Sequence, residues 1–111
     1  MPTENFVVIA STEQIAIRKT LCVEVSGREI LICHISEGFF AVDNICSHAA
    51  EKLNNGKLKG NRILCPLHGA AFDVRDGSAL TRPATLPLRT YPLRIEGGQI
   101  LIAVTEEEQE Q

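Results

Sequence analysis

No apolar run in this sequence approaches the ~20 residues that a membrane-spanning helix requires. A basic excess is missing too. Eleven Lys and Arg stand against 14 Asp and Glu, a formal charge of −3, so the composition offers no positive face for nucleic acid or an anionic membrane. The N-terminus, Met1-Pro2-Thr3-Glu4-Asn5, has no positive region, and the apolar run Phe6–Ala10 is too short for the core of a signal peptide, so the cytoplasm is the expected compartment. No Gly-x-Gly-x-x-Gly fingerprint or βαβ alternation occurs, which leaves neither NAD nor a flavin an evident seat. In a reducing compartment, the 4 cysteines are expected to be ligands or small core residues rather than disulfides. What is present, 44% hydrophobic and 23% charged residues in a chain of 111, suits one soluble domain with a small core.

The hydrophobic pattern predicts strands. Phe6–Ala10 reads as a first strand, and Ser11 to Lys19 as an irregular connection or a single turn. From Thr20 the period is two, with Leu21, Val23 and Val25 on one face and Thr20, Cys22 and Glu24 on the other. Ser26-Gly27 turns the chain into Glu29–Ile35, and Glu37-Gly38 turns it again into Phe39–Asp43. This three-strand meander delivers the chain to Cys46. The polar stretch Ala49–Asn61 is expected to hold one short helical turn before a strand at Arg62–Leu64; Ala71–Asp73 follows, and Asp76-Gly77 turns. Two prolines bar Thr81–Pro87 from a central strand. Tyr91, Leu93 and Ile95 are expected to share a face, Gly97-Gly98 to close a two-residue hairpin, and Ile100, Ile102 and Val104 to continue a buried face. The acidic tail, about residues 105–111, is expected to be disordered. Closely spaced strands joined by turns predict an all-β chain, an antiparallel β-sandwich or partial barrel. Cys22 and Cys33 are expected to be buried as small hydrophobes, and His34 to be a structural or surface histidine.

The chemistry concentrates between Cys46 and His68. Cys46-Ser47-His48 and Cys65-Pro66-Leu67-His68-Gly69 each supply one thiol and one imidazole. Thiolate suits iron–sulfur clusters and zinc, while imidazole suits iron, zinc or copper. Such a set can hold one tetrahedral metal, or a two-iron cluster with both cysteines on one iron and both histidines on the other. Zinc knuckles usually pair cysteine with cysteine and histidine with histidine, whereas both pairs here are mixed.

With its Phe72-Asp73 and Asp76-Gly77 continuation, this core resembles the Rieske family, and specifically the small soluble ferredoxins that serve bacterial ring-hydroxylating dioxygenases. The resemblance runs from the first strand to about Val104. It implies the three-sheet Rieske fold: an antiparallel β-sandwich base with an inserted cluster-binding subdomain, approximately residues 45–72, in a single domain spanning 1–111. It also implies one [2Fe–2S] cluster, with Cys46, His48, Cys65 and His68 as ligands, the histidine edge at the surface, and a covering loop at Arg82-Pro83-Ala84. The implied partners are a flavin-containing NAD(P)H reductase and a terminal Rieske non-haem iron oxygenase, and the chain is expected to be a monomer. It would carry electrons and not be an enzyme: once His48 and His68 are used, only His34 remains, too few for the two-histidine mononuclear iron of a terminal oxygenase. The alternatives are the Rieske-like small subunit of an assimilatory nitrite reductase and a zinc-stabilised interaction module. Respiratory members of the family tie their ligand loops with a disulfide; Glu51 and Leu67 occupy those positions here. Side-chain hydroxyls that raise the potential in high-potential members are replaced by Ala70 and Phe72.

Overall fold

The computed structural model describes residues 5–46, 51–66, 70–81 and 86–104. Its first strand, β1 (Phe6–Ser11), runs into a 3-10 turn at Thr12–Gln14, the single turn expected between Ser11 and Lys19. Then follow β2 (Thr20–Val25), β3 (Arg28–Ile35) and β4 (Gly38–Asp43), an antiparallel meander. The turn between β2 and β3 needs positive φ at both central residues, and Ser26 (φ 53°) and Gly27 (φ 79°) supply it. Between β3 and β4, Ile35 pairs with Gly38, so the turn is Ser36-Glu37, one residue earlier than the sequence suggested.

After Asp43 the chain leaves this sheet. It forms a 3-10 turn at Leu53–Asn55, then β5 (Lys57–Lys59), β6 (Arg62–Leu64) and β7 (Ala71–Asp73), a separate three-stranded antiparallel sheet. The helical turn was anticipated; β5 was not. It returns at β8 (Thr90–Tyr91), which pairs with Val42 and Ala41, while the Asp43 N–H donates to the Arg89 carbonyl at 2.9 Å. The last strands, β9 (Leu93–Glu96) and β10 (Gln99–Ala103), pair with each other and, through β10, with β1. Gly97 (φ 56°) and Gly98 (φ 79°) close their hairpin, as the sequence indicated.

Tyr91, Leu93 and Ile95 do not lie on one continuous strand. Pro92 divides it: Tyr91 belongs to the sheet of β4, and Leu93 and Ile95 to the sheet of β10. Tyr91 is buried, but Ile95 is 46% exposed, at the rim of its sheet. Ile100 and Ile102 are fully buried, as expected.

The central strand β3 is covered on both faces, which explains its nearly unbroken apolar run. Ile30 and Ile32 face one core, shared with Ile100, Ile102, Ala41 and Tyr91 and flanked by Leu21, Val23 and Val25. Leu31, Cys33 and Ile35 face a second core, shared with Leu53, Ile63 and Phe72 of the excursion. Cys33 is fully buried there, and Cys22, only half-buried, packs against the same core. His34 stacks on Phe39 with ring centroids 3.9 Å apart, and its Nδ1 lies 2.8 Å from the Ile15 carbonyl, a structural role. The result is an all-β fold of three antiparallel sheets, the arrangement the resemblance implies.

Candidate metal centre

Cys46 and Cys65 enter the second core from different elements. Cys46 follows the exit from β4, and Cys65 follows β6 directly. They are 3% and 2% exposed, belong to one buried cluster with Phe72, Ala70 and Leu53, and carry free thiols. A thiol in such surroundings suits an inert core residue unless a metal takes up the charge of its thiolate.

The local backbone sets these two cysteines apart from Cys22 and Cys33. The Cys46 N–H donates to the Glu51 carbonyl at 2.8 Å, and the Cys65 N–H donates to the Ala70 carbonyl at 2.7 Å. Each cysteine therefore stands at the mouth of a loop pinched shut five residues later. His48 falls inside the first loop and His68 inside the second. Both histidines lie outside the described residues, as do Ser47, Leu67, Gly69 and Arg82-Pro83-Ala84. Two buried thiols at matched loop mouths, with an imidazole encoded in each loop, fit the donor set of a [2Fe–2S] cluster carrying two cysteines and two histidines. The cluster itself would supply a one-electron couple.

Close to Cys65, two backbone segments pass with no room for a side chain. A Cβ placed on Gly56, just after the 3-10 turn Leu53–Asn55, would lie 1.8 Å from the Leu64 carbonyl oxygen, beside Cys65. Only glycine fits between the segment that follows the first loop and the strand that leads to the second. Below the second loop, Asp73 accepts from Arg75 Nη2 and Nε at 2.9 and 3.0 Å, from the Arg75 N–H at 2.9 Å and from Asn61 Nδ2 at 3.0 Å. The Arg75 guanidinium, donating to the carboxylate, lowers the pKa of Asp73 to about 2. Arg75 also reaches Glu37 at 3.3 Å, joining the excursion to the β3–β4 hairpin.

Asn44 and Gly56 carry this architecture, yet the sequence did not mark them. An asparagine after an apolar strand reads as loop punctuation, and only the turn that folds over it reveals its burial.

The family model of the Rieske [2Fe–2S] domain matches residues 5–92. The chain is 36% identical, over 100 residues, to the ferredoxin component of the naphthalene 1,2-dioxygenase/salicylate 5-hydroxylase systems of a Ralstonia species, covering 90% of this chain and 96% of that one. Among solved structures, the ferredoxin of carbazole 1,9a-dioxygenase from Nocardioides aromaticivorans superimposes with a TM-score of 0.86 at 33% identity, over 89% of this chain and 97% of that one. A complex of reduced oxygenase and oxidised ferredoxin in carbazole 1,9a-dioxygenase matches with a TM-score of 0.84 at 25% identity, over 88% of this chain and 92% of that one.

Proposed function

The chain belongs to the Rieske [2Fe–2S] domain family, and from that premise we propose that it carries single electrons from an NAD(P)H-dependent flavin reductase to the terminal oxygenase of an aromatic ring-hydroxylating dioxygenase. One [2Fe–2S] cluster of Rieske type is its cofactor. The ligands in this reading are Cys46, His48, Cys65 and His68. The observation that carries it is extent: the similarity covers nearly the whole of this chain and of a dioxygenase ferredoxin, so the two proteins consist of the same module. The solved complex of a similar ferredoxin with its oxygenase supports the terminal oxygenase as acceptor. The reductase follows from the need for a one-electron donor upstream of a carrier whose sequence carries no Gly-x-Gly-x-x-Gly nucleotide fingerprint. The relatives favour this over the nitrite reductase subunit, which shares the fold.

The chemistry agrees with a shuttle. Two thiolates and two neutral imidazoles leave the oxidised core formally neutral and the reduced core singly negative, which favours reduction relative to a four-cysteine cluster. The described residues contain no helix long and apolar enough to cross a membrane. We propose the cytoplasm, shared with a reductase and an oxygenase, as its compartment, and a monomer as its state.

Optical and electron paramagnetic resonance (EPR) spectra of anaerobically purified protein test the cofactor. Reconstitution with a flavin reductase and a Rieske oxygenase tests the role. The expected result is NADH-dependent reduction of the cluster, then reoxidation only when oxygenase is present. A colourless, EPR-silent protein with stoichiometric zinc would overturn the reading.

A further inference from the structure

The two ligand loops are supported differently. The second stands on a regular ladder, Arg62 opposite Asp73, Ile63 opposite Phe72 and Leu64 opposite Ala71, which runs directly into the Cys65–Ala70 pinch. The first stands on one isolated bridge, Ile45 opposite Lys52. The two hydrogen bonds that make this bridge are the Leu53 N–H on the Asn44 carbonyl at 2.6 Å and the Cys46 N–H on the Glu51 carbonyl at 2.8 Å. So short a neck would open easily on its own.

Asn44, two residues before Cys46, is fully buried. Its Nδ2 donates to Glu29 Oε1 at 3.1 Å and to Asn54 Oδ1 at 2.9 Å, and its Oδ1 accepts from the Asn54 N–H at 2.8 Å. Both amide protons and the carbonyl are therefore used. The Asn44 N–H also donates to the Glu29 carbonyl at 3.0 Å. Glu29 sits near the start of β3 and is gripped by Lys52 at 3.0 Å, from the opposite side of the neck. A buried carboxamide satisfied in this way is costly to displace, because every displaced conformation leaves polar groups without partners.

We propose that Asn44 is the positioning residue of the first ligand loop. Its side chain replaces the strand rungs the neck lacks, fastens the loop to the central sheet, and fixes where Cys46 presents its sulfur. It touches no reacting atom and acts through the Asn44–Cys46 backbone. The inference rests on the reading of Cys46 as a ligand.

The test is Asn44→Asp in the full-length holo-protein. The substitution keeps size and shape but turns two donors into acceptors facing Glu29 and Asn54. Release of iron to a chelator should accelerate roughly tenfold, as the loss of one or two buried hydrogen bonds implies. Hydrogen exchange followed by mass spectrometry should rise in the peptide covering residues 44–53 and stay unchanged in the one covering 62–71. Combining Asn44→Asp with Glu29→Gln restores a donor opposite the acceptor and should recover most of the retention. If Asn44→Asp fails to fold, Asn54→Ala, which removes one acceptor, should show the same selective pattern on a smaller scale. Tyr91→Phe is the control: it deletes the hydrogen bond from the Tyr91 hydroxyl to Asp43, at the base sheet. Iron release from Asn44→Asp no faster than from Tyr91→Phe, or exchange rising equally in both peptides, would overturn the proposal. A wild-type protein without a [2Fe–2S] spectrum would instead refute the ligand reading, before any variant is compared.

Discussion

At the scale of single residues, burial and charge make separate demands. Asp73 is only 8% exposed yet stays ionised, because Arg75 and Asn61 surround it. Its carboxyl is held at about 2 in the folded protein, against 3.8 ordinarily. A lowered carboxyl stabilises the fold fully above its ordinary value and loses that contribution as pH falls towards the folded value. Asp73→Asn should cost about 1 kcal/mol at neutral pH, the half-exposed Arg75 limiting the effect, and the deficit should close between about pH 4 and pH 2 in urea titrations. At Cys33 desolvation alone pushes the thiol up to about 12, and at Cys22 burial followed by Glu29 raises it. Iodoacetamide at about pH 8 should therefore leave Cys33 untouched and modify Cys22 slowly, as mass spectrometry would show. Ala70 and Phe72 are both fully buried in the core that holds Cys46 and Cys65, and neither has a hydroxyl to donate to sulfur. The reduction potential should fall near the low end of a family range of roughly −150 to +300 mV, and Ala70→Ser should raise it where the new hydroxyl reaches sulfur. Protein-film voltammetry reads both; a wild-type value above about +150 mV would sink the argument.

At the scale of elements, two glycines fix how loops pass one another. Gly77 (φ 81°) has no room for a side chain, since a Cβ there would lie 2.2 Å from the Leu88 carbonyl oxygen. Gly77→Ala should lose about 2–4 kcal/mol by chemical denaturation, with strain and clash adding. Gly56→Ala meets the Leu64 carbonyl without added φ strain and should lose about 1–3 kcal/mol, together with faster iron release because it displaces Leu64, the residue before Cys65. These contacts show what local sequence can and cannot express. The alternation of Thr20–Val25 and the turn chemistry of Ser26-Gly27 and Gly97-Gly98 are local, so β2, β3, β4 and β10 were legible. Strand β5, Lys57-Leu58-Lys59, has three residues and two exposed lysines; it exists because Arg62–Leu64 lies beside it, and no periodicity announces that. The break at Pro92 was hidden for another reason. The alternation Tyr91, Leu93, Ile95 continues across it, while the missing N–H lets the backbone change sheets. The candidate ligand cysteines, Cys46 and Cys65, stand out in the sequence because metal chemistry constrains spacing directly. Asn44 was not, because its burial depends on a turn formed ten residues later.

At the scale of the whole molecule, the four-stranded sheet divides the protein into two cores of different dependence. Cys46 and Cys65 lie in one of them, so chelating the iron should loosen that core first. The other, built on Ile30, Ile32, Ile100 and Ile102, contains no candidate ligand and should keep its amide protection in apo-protein, with hydrogen exchange as the measurement. Simultaneous loss of protection in both would mean that the sheet transmits the disruption and that the molecule is one cooperative unit. The pairing of β1 with β10 has a further consequence, for attachment. Phe6 lies opposite Ala103, so the first and last described strands run side by side, in the sheet on the far side from Cys46 and Cys65. Anything joined close to Phe6 or Ala103, whether a label, a surface anchor or a neighbouring domain in a longer polypeptide, starts from the back of the protein. A molecule tethered there to an electrode or to a second protein would keep the core that holds Cys46 and Cys65 on its far side, and one linker site would serve as well as the other.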